Sequence, residues 1–318
     1  MVKEFDLIEK FFKPLTNSNR AAQNLDDDVA KLTTKKGEKL VVSKDVFVEG
    51  VHFLRKDGGY KIATKLLRTN ISDIASAGAK PLYYLLGFSK NKYTNHKFLQ
   101  EFCRGLKDTQ NEFDLSLIGG DTVYCDKMVF SITIFGTVKN DRALGRSNAK
   151  VGDLIYVSGS IGDAFLGLKG MADKFLQQRH FFPNPRVNLG LELTKNKLSH
   201  CAIDVSDGLL ADLNHICKSS KVSAIIHEEK IPFSKAAKKI LKNFQDITKL
   251  DLLCGGDDYE LIFTSPQKNA KKIHQLSQTL DLNLSCIGKI VESHKKHEVK
   301  LCDQSGAIVK TTKLGYEH

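Results

Sequence analysis

The sequence predicts an α+β protein built from two mixed α/β domains. Its 318 residues exceed what one small core usually holds and fall short of three ordinary domains. Apolar runs of strand length alternate with segments of helical period, and no internal repeat is present. A polar, turn-rich stretch, RSNAKVGD at 146–153, interrupts this alternation. We therefore predict an N-terminal domain over 1–145 and a C-terminal α/β domain over 146–318.

The hydrophobic pattern also places the individual elements. In the first domain we expect strands at 40–42, 83–89, 115–120 and 128–138 and helices at 59–78 and 98–113. In the second we expect strands at 154–159, 201–205, 222–227, 259–265 and 284–290 and helices at 186–198, 207–219, 234–244 and 267–280. These elements predict a mixed sheet covered by helices in the second domain.

Composition excludes several classes of protein. The apolar and charged fractions, 41% and 27%, are those of a globular protein, and no apolar run approaches the roughly 20 residues that span a bilayer. The N-terminal segment MVKEFDLIEKFF lacks the basic region and apolar stretch of a signal peptide. We expect a cytoplasmic protein with no membrane partner.

The seven cysteines lie between Cys103 and Cys302 without a C-x-x-C pair, which fits neither a disulfide framework nor a zinc site. We expect them to be reduced, buried and structural. The net charge of +11 comes mostly from lysines in the C-terminal part, with few aromatic residues among them and no nucleic-acid-binding module. An ordinary solvated surface is therefore expected, with no nucleic-acid partner.

Aspartates recur at the expected ends of strands and starts of helices. Asp45 follows the strand at 40–42, Asp121 follows LIGG, and Asp204 closes the strand at 201–205. Ligands collect at strand ends in α/β proteins, and Mg²⁺ prefers oxygen donors. The recurrence predicts magnesium binding, although each acid alone also fits a solvated turn or a helix cap.

Two further acids lie in helical context. Asp73 shares a helix face with Asn70, and the small residues at 75–79 allow close approach of a ligand. Ser206 and Asp207 are expected at a helix start, which favours anions and their metals. An exposed acid and an ordinary Ser/Asp cap remain the alternatives.

Paired glycines precede acids twice, in Gly119-Gly120-Asp121 and in Gly255-Gly256-Asp257-Asp258. Such pairs allow backbone N–H groups to approach phosphate oxygens while the next acid holds a metal, or they form simple tight turns. Neither matches the G-x-x-x-x-G-K-[ST] loop nor the glycine loop of protein kinases. Phosphoryl transfer by this chain would use a different cradle.

In this order the segments resemble the thiamine-monophosphate kinases, whose family also holds aminoimidazole ribonucleotide synthetase, selenophosphate synthetase and a hydrogenase maturation protein. The resemblance rests on EFDLI (4–8), DDVA (27–30), DVFVEGVHF (45–53), NISDIASAGAKP (70–81), LIGGDT (117–122), RSNAKVGDLIYVSG (146–159), IDVSDGLLADL (203–213), GGDDYEL (255–261) and GYEH (315–318). The chain lacks the early Cys of the selenium enzymes and the C-terminal Cys of the hydrogenase protein, since its first Cys is Cys103 and it ends in His318.

The resemblance implies direct in-line transfer from ATP to thiamine phosphate, giving thiamine diphosphate and ADP. It implies a homodimer that pairs the sheets of the N-terminal domains, with ATP near the interface. Carried over residue by residue, the Mg²⁺ ligands are Asp28, Ser43, Asp45, Asp73, Asp121, Asp204 and Asp207. The ATP contacts are Gly120, Asp121, Arg146 and Ser206, and the contacts to thiamine phosphate are His52 and Asp257. No catalytic side chain is assigned, because the phosphate oxygen of the substrate is already an anionic nucleophile.

Four places depart from the family pattern. Asn24-Leu25-Asp26 replaces Gly-x-Gly, Lys44 replaces Thr in Ser-Thr-Asp, Asp257 replaces Glu, and Lys313 replaces an aromatic residue. These departures leave alternatives open. One is an enzyme of the same fold acting on another phosphorylated or carboxylated metabolite. Another is a catalytically weak protein that binds nucleotide or thiamine phosphate. Separately, the net charge of +11 leaves open a basic nucleic-acid binder.

Overall fold

The computed structural model describes residues 4–25, 29–139, 142–293, 296–311 and 314–316. The chain divides into two compact units, one formed by 1–74 and 79–141 and the other by 75–78 and 142–318. Both units combine helices with a mixed sheet, which confirms the predicted α+β class. The domain boundary after residue 145 stays a prediction, because compactness alone does not define independently folding parts. Among the helices of the described residues, none has the length and apolar character needed to cross a membrane.

The first unit contains a four-stranded sheet with the order β1-β4-β2-β3. Its strands are β1 (Glu38–Val48), β2 (Lys80–Lys90), β3 (Ser116–Tyr124) and β4 (Val129–Lys139). Its α-helices are α1 (Glu4–Leu7), α2 (Gly59–Ser76) and α3 (His96–Phe113), and short π or 3₁₀ turns lie at Ile8–Phe12, Lys13–Thr16, Arg20–Leu25 and Arg55–Asp57. β2 and β3 are parallel, whereas β4 is antiparallel to both β1 and β2. The sheet is therefore mixed, with β1 and β3 as its two edges.

Aromatic residues fill the core between α3 and one face of this sheet. The ring of Phe130 lies 4.8 Å from that of Phe102 and 5.0 Å from that of Phe88, measured between centroids. Asn95 caps α3 by accepting a hydrogen bond from the Phe98 N–H at 2.9 Å. The amphipathic period of α3 thus turns Phe98 and Phe102 toward β2 and β4.

The segment before the first acid run has a left-handed backbone, with φ angles of 48° at Gln23, 58° at Asn24 and 60° at Leu25. Glycine adopts this conformation without steric cost, and Asn tolerates it better than most residues do. The resemblance places a glycine at position 24, and the φ of 58° at Asn24 gives that glycine a conformational reason. Asp26 and Asp28 lie outside the described residues.

The second unit contains a six-stranded sheet with the order β10-β7-β9-β5-β8-β6. Its strands are β5 (Leu154–Ser158), β6 (Cys201–Asp204), β7 (Ser223–His227), β8 (Leu261–Ser265), β9 (Leu284–Val291) and β10 (Val299–Cys302). Its helices are α4 (Asp163–Leu168), α5 (Lys174–Phe181), α6 (Val187–Lys195), α7 (Leu209–Ser220), α8 (Lys235–Asn243), α9 (Lys249–Cys254) and α10 (Ala270–Thr279), with 3₁₀ turns at Glu228–Lys230 and Gln267–Asn269. Among the described strand pairs of this second sheet, only β10 and β7 are parallel, and the other pairs are antiparallel.

Helices cover both faces of this second sheet. Consecutive residues of β5, Tyr156 and Val157, belong to different apolar clusters, and so do Phe263 and Ile262 of β8. Because side chains alternate along a strand, such a sheet is buried on both sides. This explains why the central strands read as continuous apolar runs and were predicted.

The structure corrects several expectations. β1 runs over 38–48 instead of 40–42, and α4, α5, α9 and β10 were not predicted. All seven cysteines are free, but Cys125 and Cys286 are exposed and Cys254 is partly exposed, so only four are buried. The expectation that the cysteines are uniformly buried was therefore wrong.

Candidate active site

Three oxygen-bearing side chains of the first unit converge into what we call the acid cluster, Ser43, Asp45 and Asp73. β1 presents Ser43 and Asp45 on one face, since they are two residues apart. Asp73 lies near the end of α2, and its Oδ2 accepts a hydrogen bond from Ser43 Oγ at 2.5 Å. The fold therefore joins two segments that lie 30 residues apart in sequence.

The electrostatics of the acid cluster favour a cation. Burial first, and then the charge of Asp73, raise the pKa of Asp45 to about 7. A divalent ion would relieve this repulsion, and two carboxylates with a hydroxyl are the hard oxygen donors that Mg²⁺ prefers. The residues present therefore fit a magnesium ion. Asp45 lies inside β1, so the expectation that it follows the end of a strand was wrong.

Asp121 lies apart from the acid cluster in the first unit. Strand pairing relates Asp45 to Ile132, Ile132 to Leu86, and Leu86 to Gly120. Paired residues share a face, so Asp121 points to the opposite face, and three strand spacings of about 4.8 Å separate β1 from β3. The Gly119-Gly120 pair and Asp121 lie within β3, so the expectation of a turn at the strand end was wrong.

A cavity of about 610 Å³ lies on the Asp121 side of this sheet. Its polar lining includes Lys44, Gly120, Asp121 and Ser131, and its apolar lining includes Phe12, Leu25, Ile118 and Phe135. Lys44 Nζ donates to Ser131 Oγ at 3.2 Å. Lys44 therefore occupies the face opposite to Ser43 and Asp45, where its charge adds to the cavity.

His52 lies just after β1 and is oriented by its own segment. Its Nδ1 accepts a hydrogen bond from the Val48 N–H at 3.1 Å, and its ring stacks on Phe47 with a centroid distance of 5.3 Å. This assignment puts the proton on Nε2 when the ring is neutral. Any contact of this ring with an anionic ligand would thus be a hydrogen bond donated by Nε2.

In the second unit, β6 ends at the buried Asp204, and Ser206 and Asp207 follow before α7 begins. Asp212 Oδ2 accepts hydrogen bonds from the N–H groups of Ser206, Asp207 and Gly208 at 3.0, 3.1 and 3.2 Å. Burial and the Asp207 charge raise the pKa of Asp212 to about 7, although these N–H groups oppose the shift. Asp212 therefore holds the loop that precedes α7, and neither Ser206 nor Asp207 caps the helix, since its N-cap is Gly208 without a side-chain cap hydrogen bond.

His215 lies next to these acids, one turn after Asp212 on α7. Ligand atoms of Asp207, Asp212 and His215 all lie within 4.8 Å of one another. The spacing from 212 to 215 is a helical one, and this spacing to Asp212 is the signal by which His215 could have been found in the sequence.

The segment 255–260, here called the Asp257 turn, lies against the Ser206 loop. The Asp257 N–H donates to the Ser206 carbonyl oxygen and the Tyr259 N–H donates to the Val205 carbonyl oxygen, both at 2.8 Å. His180 Nδ1 lies 3.3 Å from Asp257 Oδ2. The fold thus brings the backbones of Asp257 and Ser206 together.

Asp258 and Glu260 of this turn belong to a set of ionisable residues that the sequence did not reveal, here called the buried ion network (Asp163, Arg179, Arg186, Asp258 and Glu260). Arg186 Nε and one terminal NH₂ group donate to Glu260 at 2.6 Å each, and Arg179 donates to Glu260 at 2.7 Å. Burial raises the pKa of Glu260, but the charges of Arg186 and Arg179 outweigh this effect and hold the pKa below its usual value. The partners lie 74 and 81 residues apart in sequence, so no local pattern identifies them.

Asp258 completes the network on the side of α4. Its two carboxylate oxygens accept from the Gly162 N–H at 2.7 Å and the Ala164 N–H at 3.2 Å. Burial raises the pKa of Asp258 to about 8 against the effect of these donors and of Arg179. Asp163 accepts hydrogen bonds from Ser160 and, at 2.5 Å, from Ser234.

Arg146 is exposed and lies near the start of β6. Gly145 bridges to Cys201, and the Arg146 carbonyl oxygen accepts from Ser220 Oγ at 2.8 Å. Ser206 lies beyond the other end of β6, roughly 10 Å or more along the strand at 3.3 Å per residue. The structure does not bring the backbone of Arg146 next to Ser206.

Comparison with known protein families yields two matches that together span most of the chain. The N-terminal domain of AIR synthase related protein matches residues 26–138, and the C-terminal domain of the same family matches residues 150–300.

Individual relatives match over nearly their full length. Thiamine-monophosphate kinase of Buchnera aphidicola subsp. Schizaphis graminum (strain Sg) is 35% identical, covering 99% of this chain and 98% of the relative. The crystal structure of thiamine-monophosphate kinase from Stenotrophomonas maltophilia K279a superposes with a TM-score of 0.84 at 35% identity, covering 94% and 96% of the two chains. A solved structure described as AaThiL complexed with AMPPCP and TMP has a TM-score of 0.77 at 28% identity, covering 99% and 97%.

Proposed function

The chain belongs to the AIR synthase related family, in the branch of the thiamine-monophosphate kinases, and from this premise we propose that it phosphorylates thiamine phosphate with ATP. The products are thiamine diphosphate and ADP, and we propose the cytoplasm as the location. The observation that carries the proposal is the acid cluster, in which Asp45 and Asp73 lie close enough to raise the pKa of Asp45 to about 7. Such a pair fits a cation that accompanies phosphate groups.

We assign the metal to the acid cluster in the first unit and, by the family resemblance, to Asp28, Asp121, Asp204 and Asp207. Mg²⁺ held by these residues would neutralise charge on the phosphate oxygens. Asp45 and Asp73 supply the anionic oxygens, and Ser43 orients Asp73 through its 2.5 Å hydrogen bond. Asp212 holds the backbone of the loop that carries Asp207.

For ATP, the proposed contacts are Gly120, Asp121, Arg146 and Ser206. The cavity beside Asp121, at about 610 Å³, lies within the range of ~300–1,000 Å³ typical of small-molecule sites. Its apolar side suits a nucleobase, and Lys44 provides positive charge on the same face for phosphate oxygens. Lys44 therefore acts on the nucleotide side of the sheet and does not compete with Asp45 for a metal.

For thiamine phosphate, the proposed contacts are His52 and Asp257. The Asp257 carboxylate attracts the cationic thiazolium ring, and Nε2–H of His52 donates to a phosphate oxygen. A phosphate oxygen of thiamine phosphate then forms a bond to the γ-phosphorus while the bond to the β–γ bridging oxygen breaks. The nucleophile is already anionic, so the side chains position groups and neutralise charge without acting as a general base.

We further propose a homodimer in which the N-terminal sheets pair. Leu40, Val42 and Val46 form an exposed apolar stripe on the same face of β1 as Lys44. Such a stripe on an edge strand is a surface that another chain can cover.

The proposal is tested by measuring ADP release from Mg-ATP with thiamine phosphate, thiamine and a panel of other phosphorylated metabolites. We expect release with thiamine phosphate only, and its loss in Asp121→Ala. The matched control is Asp126→Ala, which removes an exposed acid five residues further along and should keep the rate. ADP release with another metabolite would support an enzyme of the same fold that acts on that metabolite. ATP binding without ADP release would support a binding role.

A further inference from the structure

The two arginines of the buried ion network contact the Asp257 turn at two places, the Glu260 side chain and the Asp258 carbonyl oxygen. Glu260 is fully buried and receives hydrogen bonds from Arg179, Arg186 and, at 2.5 Å, Ser158 Oγ. Arg179 also donates to the Asp258 carbonyl oxygen at 3.3 Å. The network therefore holds both the backbone and a side chain of the turn.

The turn itself is conformationally demanding. Gly256, Asp257 and Tyr259 have φ angles of 71°, 67° and 51°, so two non-glycine residues are left-handed within three positions. Such conformations persist only where the surroundings fix them, and they are concentrated at ligand sites. The backbone hydrogen bonds to the Ser206 loop provide one constraint, and the network provides the other.

Stability alone does not explain this arrangement. Two arginines meet three carboxyl groups within the described part of the second unit, and a buried ion set of this kind adds little stability over a well-packed apolar one. Removing a single member, in contrast, leaves an uncompensated charge. What the network does provide is a fixed geometry, because the bidentate Arg186–Glu260 pair tolerates few alternative positions.

We propose that Arg179, Arg186 and Glu260 are positioning residues that fix the Asp257 turn, and thereby the placement of Asp257 and Ser206 toward substrate and nucleotide. The inference rests on the proposed function for the identity of the two ligands. The geometric part, that the network holds the turn, stands on the contacts alone. None of the three residues touches a reacting atom in this account.

The first test replaces Glu260 by Gln, which keeps the shape but removes the charge that pairs with both arginines. We expect KM for thiamine phosphate to rise, or kcat to fall, by roughly tenfold, as expected when a bound group is misplaced by a fraction of an ångström. The matched control is Asp153→Asn, which removes another buried carboxylate of the same unit, one that accepts from the Lys150 N–H and Thr264 Oγ1. The control should change melting temperature without changing KM or kcat.

A second measurement reads the turn directly. Hydrogen–deuterium exchange of peptides covering 255–260 should be faster in Glu260→Gln than in the wild type, and unchanged in Asp153→Asn. If Glu260→Gln does not fold, Arg186→Met and Arg186→Lys replace it, with Lys expected to restore part of the protection that Met loses.

The outcomes separate the two proposals. Unchanged exchange and kinetic constants within twofold of wild type in the folded variants would overturn the positioning role. A wild type that forms no thiamine diphosphate would overturn the proposed function, while faster exchange in Glu260→Gln would still support the hold on the turn. Equal kinetic losses in Asp153→Asn and Glu260→Gln would mean that the network contributes only to the stability of the unit. That result would overturn the inference.

Discussion

Asp45, a proposed metal ligand, destabilises the metal-free fold. Burial and the neighbouring Asp73 raise its pKa to about 7, which means that the ionised form is disfavoured in the folded state. Above that pH the metal-free protein carries two repelling carboxylates. An acid kept in such a place is expected to be stabilised by a ligand and not by the fold.

We predict opposite effects of Asp45→Asn on stability and activity. Without metal at pH 7.5, the variant should melt ~2–4 °C higher, because removing the repulsion contributes about 1 kcal/mol. Its kcat should fall by roughly 10²-fold or more, because a proposed ligand of the cation that would neutralise transition-state charge is lost.

Differential scanning calorimetry with and without Mg²⁺ tests this prediction, with Asp108→Asn as the control for an exposed acid of the same unit. Asp108 accepts a hydrogen bond from the Tyr60 hydroxyl at 3.0 Å and is assigned no ligand role. A metal-free Asp45→Asn protein that melts lower than the wild type would contradict the electrostatic account.

The raised pKa of Asp258 leads us to expect that the stability of the protein depends on pH. Its pKa is about 8 in the folded protein and has an ordinary value of 3.8. Between these values the folded state keeps a proton that the unfolded chain releases, so this contribution is complete below about pH 4 and is lost as pH rises toward 8. Replacing Asp258 by Asn should remove that decline. It should also lower stability by about 1–3 kcal/mol at pH 5, because the new NH₂ group faces a backbone N–H.

Melting temperatures at pH 5, 6, 7 and 8 check this prediction. The gap between wild type and Asp258→Asn should narrow as the pH rises, whereas Asp246→Asn, an exposed acid of the same unit, should run parallel to the wild type. Parallel curves for all three proteins would show that Asp258 does not hold the proton.

At the scale of elements, the connection between β5 and α4 supports the buried ion network. Gly159 has a φ of 60°, and a Cβ added there would collide with the Glu260 carboxylate. Gly170 has a similar φ of 75° but open space around the same position. Alanine at Gly170 therefore measures backbone strain alone, whereas alanine at Gly159 adds the steric displacement of Glu260.

We predict that Gly170→Ala costs ~1–2 kcal/mol, the usual penalty for a left-handed alanine. Gly159→Ala should cost at least about 1–3 kcal/mol more, because it also displaces a hydrogen-bonded buried carboxylate. Urea unfolding of the two variants measures the difference. Equal losses would mean that the β5–α4 connection does not support Glu260.

The elements also show how far the sequence could predict the structure. The double burial of β5 and β8 leaves uninterrupted apolar runs, and these strands were predicted. The edge strand β1 was predicted short because its exposed face carries Lys44 and its other face carries Ser43 and Asp45, which interrupt the apolar pattern. The helices α4, α5 and α9, only six to eight residues long, depend on packing and caps, so local periodicity did not reveal them.

For the site, the sequence identified the acids but not their grouping. Ser43 and Asp73 meet across the gap between β1 and α2, and only the fold shows that Asp121 lies at the opposite sheet edge. Glu260 was visible in the sequence as part of GGDDYEL, yet its pairing with Arg179 and Arg186 depends on contacts between distant segments. Long-range pairing leaves no local signal in a single sequence.

At the scale of the whole molecule, the exposed stripe on β1 predicts an assembly. Val42→Glu should shift the proposed dimer to monomer and lower activity at least about tenfold, because a charge in an apolar interface is left unpaired. Val151→Glu is the matched control, since Val151 is 59% exposed and Val42 is 57% exposed. Sedimentation velocity of both variants gives the answer. A wild type that sediments as a monomer, or a fully active monomeric Val42→Glu protein, would contradict the dimeric site.

The central claim is the transfer of a phosphoryl group from ATP to thiamine phosphate. ³¹P NMR of the purified protein with Mg-ATP and thiamine phosphate follows every phosphorus atom in one sample. We expect thiamine diphosphate to appear in step with ADP, thiamine itself to yield no product, and Asp121→Ala to be inactive. ADP formed together with inorganic phosphate, or no ADP from a folded protein that still binds ATP, would contradict it.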